Sequence, residues 1–319
     1  MSVRRPPVAS DEFPEGDASS DHDSAVVPSE KTNLTWLTVG TTTVPVRHDS
    51  SFAAEAVKLS ILMAAYNEEK TILRVIDEIL RAKFPCEIEL IVVNDGSTDS
   101  TPMLLSQVED ARVQVHHHPS NQGKGAAVLA AASLATGTYV IPFDADLEYE
   151  PEDIPRMLEP VLKGRCEVVY GARLFGCNTV YKSYLYAVGN RVLTHMANIL
   201  FNAHLTDIHT CLKLMPLVTL KGLGLHEKGF GLDSEITARL LRRGIRPFEV
   251  PVSYYGRSHA EGKKIKWRDA VACAWILLRV RLRARPSRKP DADCWEGECS
   301  RVGFAAPNEA ASYSSGGGR

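Results

Sequence analysis

Between residues 58 and 146, four short apolar runs alternate with three segments of helical character. The apolar runs are KLSILMAAY, IELIVVND, VQVHHH and YVIPFDAD, and the first segment between them is EEKTILRVIDEILRA. Short runs rich in β-branched residues are typical of buried strands, and apolar residues spaced by three and four are typical of helices. The order β-α-β-α-β-α-β predicts an α/β fold, with a parallel sheet covered by helices on both faces.

The rest of the 319-residue chain has a different composition. Residues 1–55 are acidic and rich in Ser, Asp and Pro, which predicts a disordered extension. LTWLTVGTTTVPV is the exception, where a short strand or a docking segment is expected. Residues 56–285 are predicted to form one folded domain, and residues 286–319, ending in SYSSGGGR, a second disordered tail.

The charge balance and the spacing of the cysteines limit the classes of protein to which this chain could belong. Lys and Arg number 37 against 39 Asp and Glu, so the net charge of -2 does not indicate a nucleic-acid-binding protein. The seven cysteines form no CxxC pair, which favours reduced thiols in a cytoplasmic protein. The N-terminus has no apolar signal region, and no run approaches the ~18 apolar residues of a spanning helix.

Polar motifs follow three of the predicted strands at the point where each strand ends. YNEE follows the first strand, NDGSTD the second and DADLE the fourth. Ligands of open α/β sheets bind at the carboxyl ends of the strands. The sequence therefore predicts one crevice to which all three strand ends contribute.

Asp144, Asp146 and Glu148 follow the fourth strand at intervals of two residues. Alternation along an extended strand would put all three carboxylates on one side, where their charges repel unless a cation lies between them. Mg or Mn, which prefer oxygen ligands and phosphate, fit this pattern. The alternative is an acidic loop before a helix that begins at Pro151, which accounts for Glu150 to Asp153 but not for the two aspartates.

Two further motifs favour an anionic or nucleotide ligand. Asp95 and Gly96 lie at a strand-to-helix turn, where Asp95 could accept hydrogen bonds from a ribose or a base and the helix N-terminus favours anions. Turn geometry alone would also use these residues. Lys124 lies between two glycines in NQGKGAA and could approach a diphosphate, although a glycine-bounded helix start explains the same letters.

The motifs, taken in order, resemble those of family 2 glycosyltransferases, and most closely the polyprenyl-phosphate (dolichyl-phosphate) mannose or glucose synthases. The similarity covers about residues 57–285. Its motifs are AAYNEEKTI, VVNDGSTDST, NQGKGAA, DADLEYEPEDI, VVYGAR, TDIHTCLKLM, GFGLDSEI and PVSYYGRSHAEGKKI. The Gly- and Arg-rich loop of sugar nucleotidyltransferases is absent after the first strand, where MAAYNEEKT stands instead.

The resemblance implies a GT-A fold, a nucleotide-sugar donor such as GDP-mannose or UDP-glucose, Mg or Mn, and inversion at the anomeric carbon. By motif position, the donor-binding residues would be Tyr66, Asn67, Glu68, Asp95, Gly96, Lys124 and Asp144. The metal ligands would be Asp144, Asp146 and Glu148, and the catalytic residues Asp146, Arg173 and Glu235.

The resemblance also implies a lipid-phosphate acceptor, which is already an anion and needs cations rather than a strong base. The candidate cations are Arg191, Lys213, Arg257 and Lys263, although Arg191 and Lys263 could equally be solvated surface residues. A hydroxyl acceptor would instead need a general base, for which Asp233 and Glu235 match the motif position. A third interpretation is that the protein binds nucleotide sugars without catalysing any transfer.

The segment KWRDAVACAWILLRVRLRARPSRK interleaves apolar residues with arginines near the end of the domain. An amphipathic helix with a cationic end would lie on anionic lipid headgroups, at the cytoplasmic face of the membrane and close to a lipid-linked acceptor. The alternative is a final helix that packs on the core and leads into a basic tail.

Overall fold

The computed structural model describes residues 57–173, 179–181, 183–257 and 267–283, together with the two strands of an N-terminal hairpin. In the hairpin, β1 (Leu34–Val39) and β2 (Thr42–Arg47) pair antiparallel. They lie in the segment of residues 1–55 where the sequence predicts a short strand. The hairpin and the following domain are separate compact units.

The domain is built on a seven-stranded sheet. Its strands are β3 (Lys58–Ala65), β4 (Glu87–Asn94), β5 (Val113–His117), β6 (Tyr139–Asp144), β7 (Val169–Ala172), β9 (Lys213–Pro216) and β10 (Phe248–Pro251), in the order β10-β7-β9-β6-β3-β4-β5. The predicted strands β3 to β6 are parallel, with Ile61 opposite Leu90 on one side and Ile141 on the other. β9 runs antiparallel between β6 and β7, so the sheet is mixed rather than wholly parallel.

Helices cover both faces of this sheet, as the alternating pattern predicts. They are α1 (Ile72–Arg81), α2 (Thr101–Leu105), α3 (Lys124–Leu134), α4 (Ile154–Leu162), α5 (Tyr184–Phe201), α6 (Leu217–Gly222), α7 (Leu232–Arg242) and α8 (Trp267–Leu282). A 3-10 turn at Pro151–Asp153 precedes α4, and a small parallel pair joins β8 (Thr179–Val180) to β11 (Tyr254–Tyr255). None of the described helices is both long and apolar enough to cross a bilayer.

The strand pleat divides the core between the two faces. Leu59, Ile61 and Met63 of β3 pack with α1 and α4 in one buried cluster, whereas Leu62 joins the cluster formed by α3, α5, α7 and α8. In α1, Ile72, Val75, Ile76 and Ile79 follow the spacing of a single helix face, and all four are buried. The sheet is thereby fixed between two apolar layers, and its strand ends have defined positions.

Ser97 and Thr98 do not cap the helix that follows β4. Ser97 and Thr98 are natural capping residues, but α2 begins only at Thr101, after Ser100. Instead, Ser97 Oγ accepts a hydrogen bond from the Asn67 backbone N–H at 2.9 Å, and the Thr98 N–H donates to Asn67 Oδ1 at 2.8 Å. These polar groups connect the loops after β3 and β4 rather than capping a helix.

Candidate active site

A crevice of about 340 Å³ lies at the carboxyl ends of β3, β4 and β6, where the three polar motifs meet. Most of the predicted donor and metal residues line it. Its lining comprises Ala64, Ala65, Tyr66, Glu68, Asp95, Asn121, Gly123, Lys124, Asp144, Ala145, Asp146, Glu148, Phe230 and Arg257. The strand-end rule thus identifies the place of the crevice from sequence alone.

The acidic residues reach the crevice through a turn rather than through the pleat of a strand. β6 ends at Asp144, and Asp146 Oδ1 accepts a hydrogen bond from the Glu148 backbone N–H at 3.1 Å. Between them, Leu147 has a φ of 61°, in the left-handed region that non-glycine residues rarely adopt. The expectation that all three carboxylates lie on one side of an extended strand is therefore wrong, because the chain leaves the strand before the second of them.

Asp146 is the most electrostatically perturbed of these acids. Burial, followed by the negative charges of Asp144 and Glu148, raises its pKa to about 7, although Arg257 acts in the opposite direction. A carboxylate in these surroundings gains from any added positive charge. This part of the crevice is suited to attract a cation.

The three predicted metal ligands have different hydrogen-bond partners in this structure. Within the described ranges, no three His, Cys, Asp or Glu side chains converge as a metal site. The Glu148 carboxylate has other partners in this structure, since its Oε2 accepts from the Tyr254 hydroxyl at 2.7 Å and its Oε1 from the Arg257 backbone N–H at 2.7 Å, and its metal-binding role stays a prediction. Mg and similar ions are commonly bound by one or two carboxylates that leave positions for phosphate oxygens, and Asp144 and Asp146 fit that arrangement.

Lys124 lies opposite Asp144, with its Nζ 2.6 Å from Asp144 Oδ1. Burial alone would lower the pKa of Lys124, but the negative charges around it, Asp144 first, raise it well above the ordinary value. The glycines around Lys124 allow the start of α3 to approach a neighbouring loop, since a Cβ on Gly125 would lie 2.4 Å from the Glu227 carbonyl oxygen. The NQGKG motif thus positions a permanently charged amine at the crevice.

Asp95 lines the crevice, but its carboxylate also organises the loop beside it. Oδ1 accepts from the Gln122 N–H at 2.9 Å and bonds the His118 ring at 2.8 Å, and Oδ2 accepts from the Gly123 N–H at 2.8 Å. Gly96 has a φ of 68°, and a Cβ there would lie 2.5 Å from the Ser120 carbonyl carbon. Asp95 and Gly96 therefore hold the wall of the predicted nucleoside site, and direct contact of Asp95 with a nucleoside stays a prediction.

Of the YNE residues, Tyr66 and Glu68 line the crevice, whereas Asn67 does not. Asn67 has a φ of 52° and joins the loop after β4 through its backbone and its amide oxygen. Its observed contacts are structural, and the predicted donor contact of Asn67 is untested.

Arg257 bridges the acidic groups from the opposite wall. Its guanidinium lies 2.7 Å from Asp146 Oδ2 and bonds both oxygens of Glu68, at 3.2 and 3.3 Å. These carboxylates outweigh the effect of burial and raise the pKa of Arg257. A bound phosphate would have to share or exchange these contacts. Lys263, the neighbouring cation predicted by the same motif, lies outside the described residues.

A second polar group surrounds Arg173, away from the crevice lining. Its Nη2 donates to Asp207 Oδ1 at 2.9 Å, and its guanidinium lies 4.8 Å from the centre of the Tyr254 ring. Asn190 of α5 also donates to Asp207, and its Oδ1 accepts a hydrogen bond from the His209 ring. The guanidinium of Arg173 is paired with the buried Asp207, and the catalytic role expected of Arg173 stays a prediction.

The other predicted cations and the predicted base lie in different surroundings. Lys213 is fully buried, and its Nζ lies 2.7 Å from Asp233 Oδ1, whereas Arg191 is exposed on α5. Glu235 is fully buried, and its carboxylate accepts from the backbone N–H groups of His226 and Glu227 and from Arg239 Nε. None of these three predicted residues belongs to the crevice lining.

The sequence patterns do not single out Asn121, Phe230 or Asp207. Asn121 and Phe230 line the crevice, and Asp207 neutralises Arg173. Each belongs to a motif that was recognised, NQGKGAA, GFGLDSEI or TDIHTCLKLM. The motifs therefore identify the segments that form the site, but the sequence pattern does not indicate which residue of each motif reaches the crevice.

The chain has recognisable relatives among known proteins. The family model for glycosyl transferase family 2 matches residues 60–217. The glycosyltransferase AglJ of Haloferax volcanii is 31% identical over 198 residues, covering 62% of this chain and 63% of AglJ. Agl6 of the same organism, a low-salt glycan biosynthesis hexosyltransferase, is 27% identical over 219 residues, which cover 67% of this chain and 52% of Agl6. The chain thus spans less than two thirds of the length of these relatives.

Solved structures share the fold. Glucosyl-3-phosphoglycerate synthase from Mycobacterium tuberculosis, in complex with Mn2+, UDP-glucose and phosphoglyceric acid, superposes with a TM-score of 0.55 at 20% identity. The match covers 73% of this chain and 82% of that one. The mixed, mostly parallel sheet with helices on both faces is therefore the GT-A-like fold that the motifs imply.

Proposed function

Residues 60–217 match the family model for glycosyl transferase family 2, and on this premise we propose that the chain transfers a hexose from a nucleotide-diphosphate sugar to polyprenyl phosphate. A phosphate oxygen of the acceptor forms a bond to the anomeric carbon, with inversion. The bond from that carbon to the diphosphate oxygen breaks, and the nucleoside diphosphate leaves. GDP-mannose and UDP-glucose are the two donors proposed.

One observation carries this proposal: the crevice brings Asp144 and Asp146 together with Lys124 and Arg257 at the ends of three strands. Carboxylates and permanently charged cations in one crevice suit a ligand with both phosphate and a bound metal ion. Lys124 and Arg257 would bind the diphosphate, and Tyr66 and Glu68 line the wall where the nucleoside would lie. The names of Agl6, a hexosyltransferase, and of the UDP-glucose complex support the donor class.

Asp144 and Asp146 would hold Mg or Mn. The ion supplies positive charge to the diphosphate as it leaves. Lys124 adds a second positive charge at the same wall, where Asp144 keeps it oriented at 2.6 Å. The Mn2+ in the mycobacterial complex supports this choice of ion.

The hydrogen bonds and charges around the buried acids Glu235 and Asp233 favour a phosphate acceptor over a hydroxyl acceptor. Glu235 is enclosed and engaged by two backbone N–H groups and Arg239, so it is poorly placed to take a proton from an acceptor. Burial would raise the pKa of Asp233, but Lys213 and then Lys124 outweigh it and lower that pKa. A carboxylate with a lowered pKa is a weak base, whereas a phosphate acceptor requires none.

The proposal is tested with purified protein, Mg or Mn, and a labelled nucleotide sugar. GDP-mannose and UDP-glucose are each incubated with polyprenyl phosphate in detergent, and the label is extracted into organic solvent. We expect lipid-soluble label with one donor, none in EDTA, and an inverted anomeric configuration by NMR. Asp146→Asn should lose the reaction, and Glu152→Gln, which neutralises an exposed acid nearby, should keep it.

Parallel incubations distinguish the alternatives. Phosphoglyceric acid and a free sugar are tested as acceptors in the same way. If the label appears in a water-soluble product with one of them and none appears in lipid, the acceptor is not a lipid phosphate. Donor binding by calorimetry without any transfer would indicate a non-catalytic nucleotide-sugar-binding protein. Either result would overturn the proposed acceptor.

A further inference from the structure

Helix α5 carries a row of exposed apolar side chains. Leu185, Val192 and Ile199 are seven residues apart, so they lie on one side of the helix, and each is between 61% and 79% exposed. The opposite side of the same helix packs into the core through Leu193 and Ala197. α5 is therefore apolar on both sides, which the packing of the domain alone does not require.

Helix α8 carries a second such row of exposed apolar side chains. Val271, Trp275 and Leu282 are between 59% and 78% exposed. Buried residues of the two helices belong to the same core cluster, and Arg281 Nε donates to the Leu200 carbonyl oxygen at 2.8 Å. The two helices thus pack together, and we call their exposed residues 185, 192, 199, 271, 275 and 282 the α5/α8 surface.

Basic residues accompany this surface. α5 contains no Asp or Glu, and α8 contains only Asp269. The exposed arginines on and directly after the two helices are Arg191, Arg268, Arg281 and Arg283. Apolar side chains including a tryptophan, bordered by arginines, match the composition of segments that lie in the membrane interface.

We propose that the α5/α8 surface docks on a membrane that contains anionic lipids. The apolar rows enter the headgroup region, and the arginines contact lipid phosphates. A second copy of this chain is a poorer occupant, because a symmetric interface would bring the same arginines face to face. The docking does not depend on the acceptor proposed above, but it would give that acceptor a short path to the crevice.

Contacts from α8 lead directly to the crevice. Ile276 packs against Gly231, where a Cβ would lie 2.3 Å from its Cδ1, and Arg279 pairs with Glu227. The loop between these two contacts contains Phe230, which lines the crevice. A membrane bound at the α5/α8 surface would therefore contact the helix that supports one wall of the crevice.

Vesicle flotation tests the docking without any donor or acceptor. The full chain is mixed with phosphatidylcholine vesicles with or without one third phosphatidylglycerol. We expect binding to the anionic vesicles, weakened by raising the salt from 0.1 to 0.5 M, and reduced at least tenfold in the double variant Val192→Ser, Trp275→Ser. The matched control, Met103→Ser with Val218→Ser, removes two residues that are 58% and 65% exposed on other helices and should bind as the wild type does.

Light scattering and circular dichroism complete the test. Equal binding by wild type and double variant, or no binding by the folded wild type, would overturn the proposal. A wild-type dimer that the double variant dissociates, without vesicle binding, would assign the surface to a second copy. Vesicle binding without transfer to polyprenyl phosphate would refute the proposed function alone, and transfer to a detergent-dispersed acceptor without vesicle binding would refute the docking alone.

Discussion

Replacing Asp146 by Asn should stabilise the metal-free protein while it removes activity. The pKa of Asp146 rises from 3.8 to about 7, because of burial and the nearby charges of Asp144 and Glu148. A tenfold change in an ionisation constant corresponds to about 1.4 kcal/mol, so ionised Asp146 lowers the free energy of unfolding by at most about 4 kcal/mol. Asn resembles the protonated acid and carries none of this cost.

The sign of the pH dependence follows from the raised pKa. Between about pH 4 and pH 7 the folded protein holds a proton on Asp146 that the unfolded chain has lost. The stability contributed by this group is therefore complete below about pH 4 and is lost as the pH rises through about 7. The advantage of Asp146→Asn over the wild type should be largest at pH 8 and shrink towards pH 5.

Urea unfolding in EDTA at pH 5 and pH 8 measures this difference, with Glu152→Gln as the control for removal of an exposed acid. Added Mn and nucleoside diphosphate should stabilise the wild type and the control but not Asp146→Asn. If Asp146→Asn is less stable than the wild type at pH 8, or if its advantage does not change with pH, the electrostatic reasoning is wrong. If it retains sugar transfer, the metal assignment is wrong.

Three further substitutions separate structural from functional roles. Glu235→Ala should lower the free energy of unfolding by about 3–5 kcal/mol, because Arg239 loses a buried partner. Sugar transfer per folded molecule should persist. Loss of transfer in the folded variant would instead support a role of Glu235 as a general base. His209 has a pKa lowered to about 4 by burial, so this group alone costs about 3 kcal/mol between pH 6.5 and pH 4, opposite in sign to the effect of Asp146. Urea titrations should therefore show that the stability of His209→Gln relative to the wild type rises by about 3 kcal/mol over this range. Gly96→Ala forces a Cβ to 2.5 Å from the Ser120 backbone, so we expect a several-fold higher KM for the nucleotide sugar; an unchanged KM would remove Gly96 from the donor wall.

The location of the crevice could be predicted because it depends on local pattern and on a general rule of parallel sheets. Apolar runs identify the strands, and YNEE and DADLE then fall at the ends of β3 and β6. The antiparallel strand β9 could not be predicted in the same way. Its four residues, Lys213–Pro216, pair with β6 and β7, and so short a run carries no local sign of its direction.

The roles of the charged residues depended on partners far away in the chain. Arg257 and Asp146 are 111 residues apart, and Arg257, a cation that the sequence predicts for an acceptor phosphate, lies 2.7 Å from Asp146, a predicted metal ligand. Arg173 is paired with the fully buried Asp207, and Glu235 binds the loop before its own helix. In each case the motif identified a charged residue correctly as part of a polar cluster, but not which group neutralises it.

The sequence by itself determined the α/β order, the strand ends that meet at one edge, and the similarity to family 2 glycosyltransferases. These follow from hydrophobic periodicity and from motifs a few residues long. Only the tertiary structure decided that the Glu148 carboxylate accepts hydrogen bonds from the Tyr254 hydroxyl and the Arg257 backbone, and that α5 and α8 leave apolar side chains exposed. Burial and the energy of a charge depend on which distant segments pack around it, and that information does not reside in any short stretch of the chain.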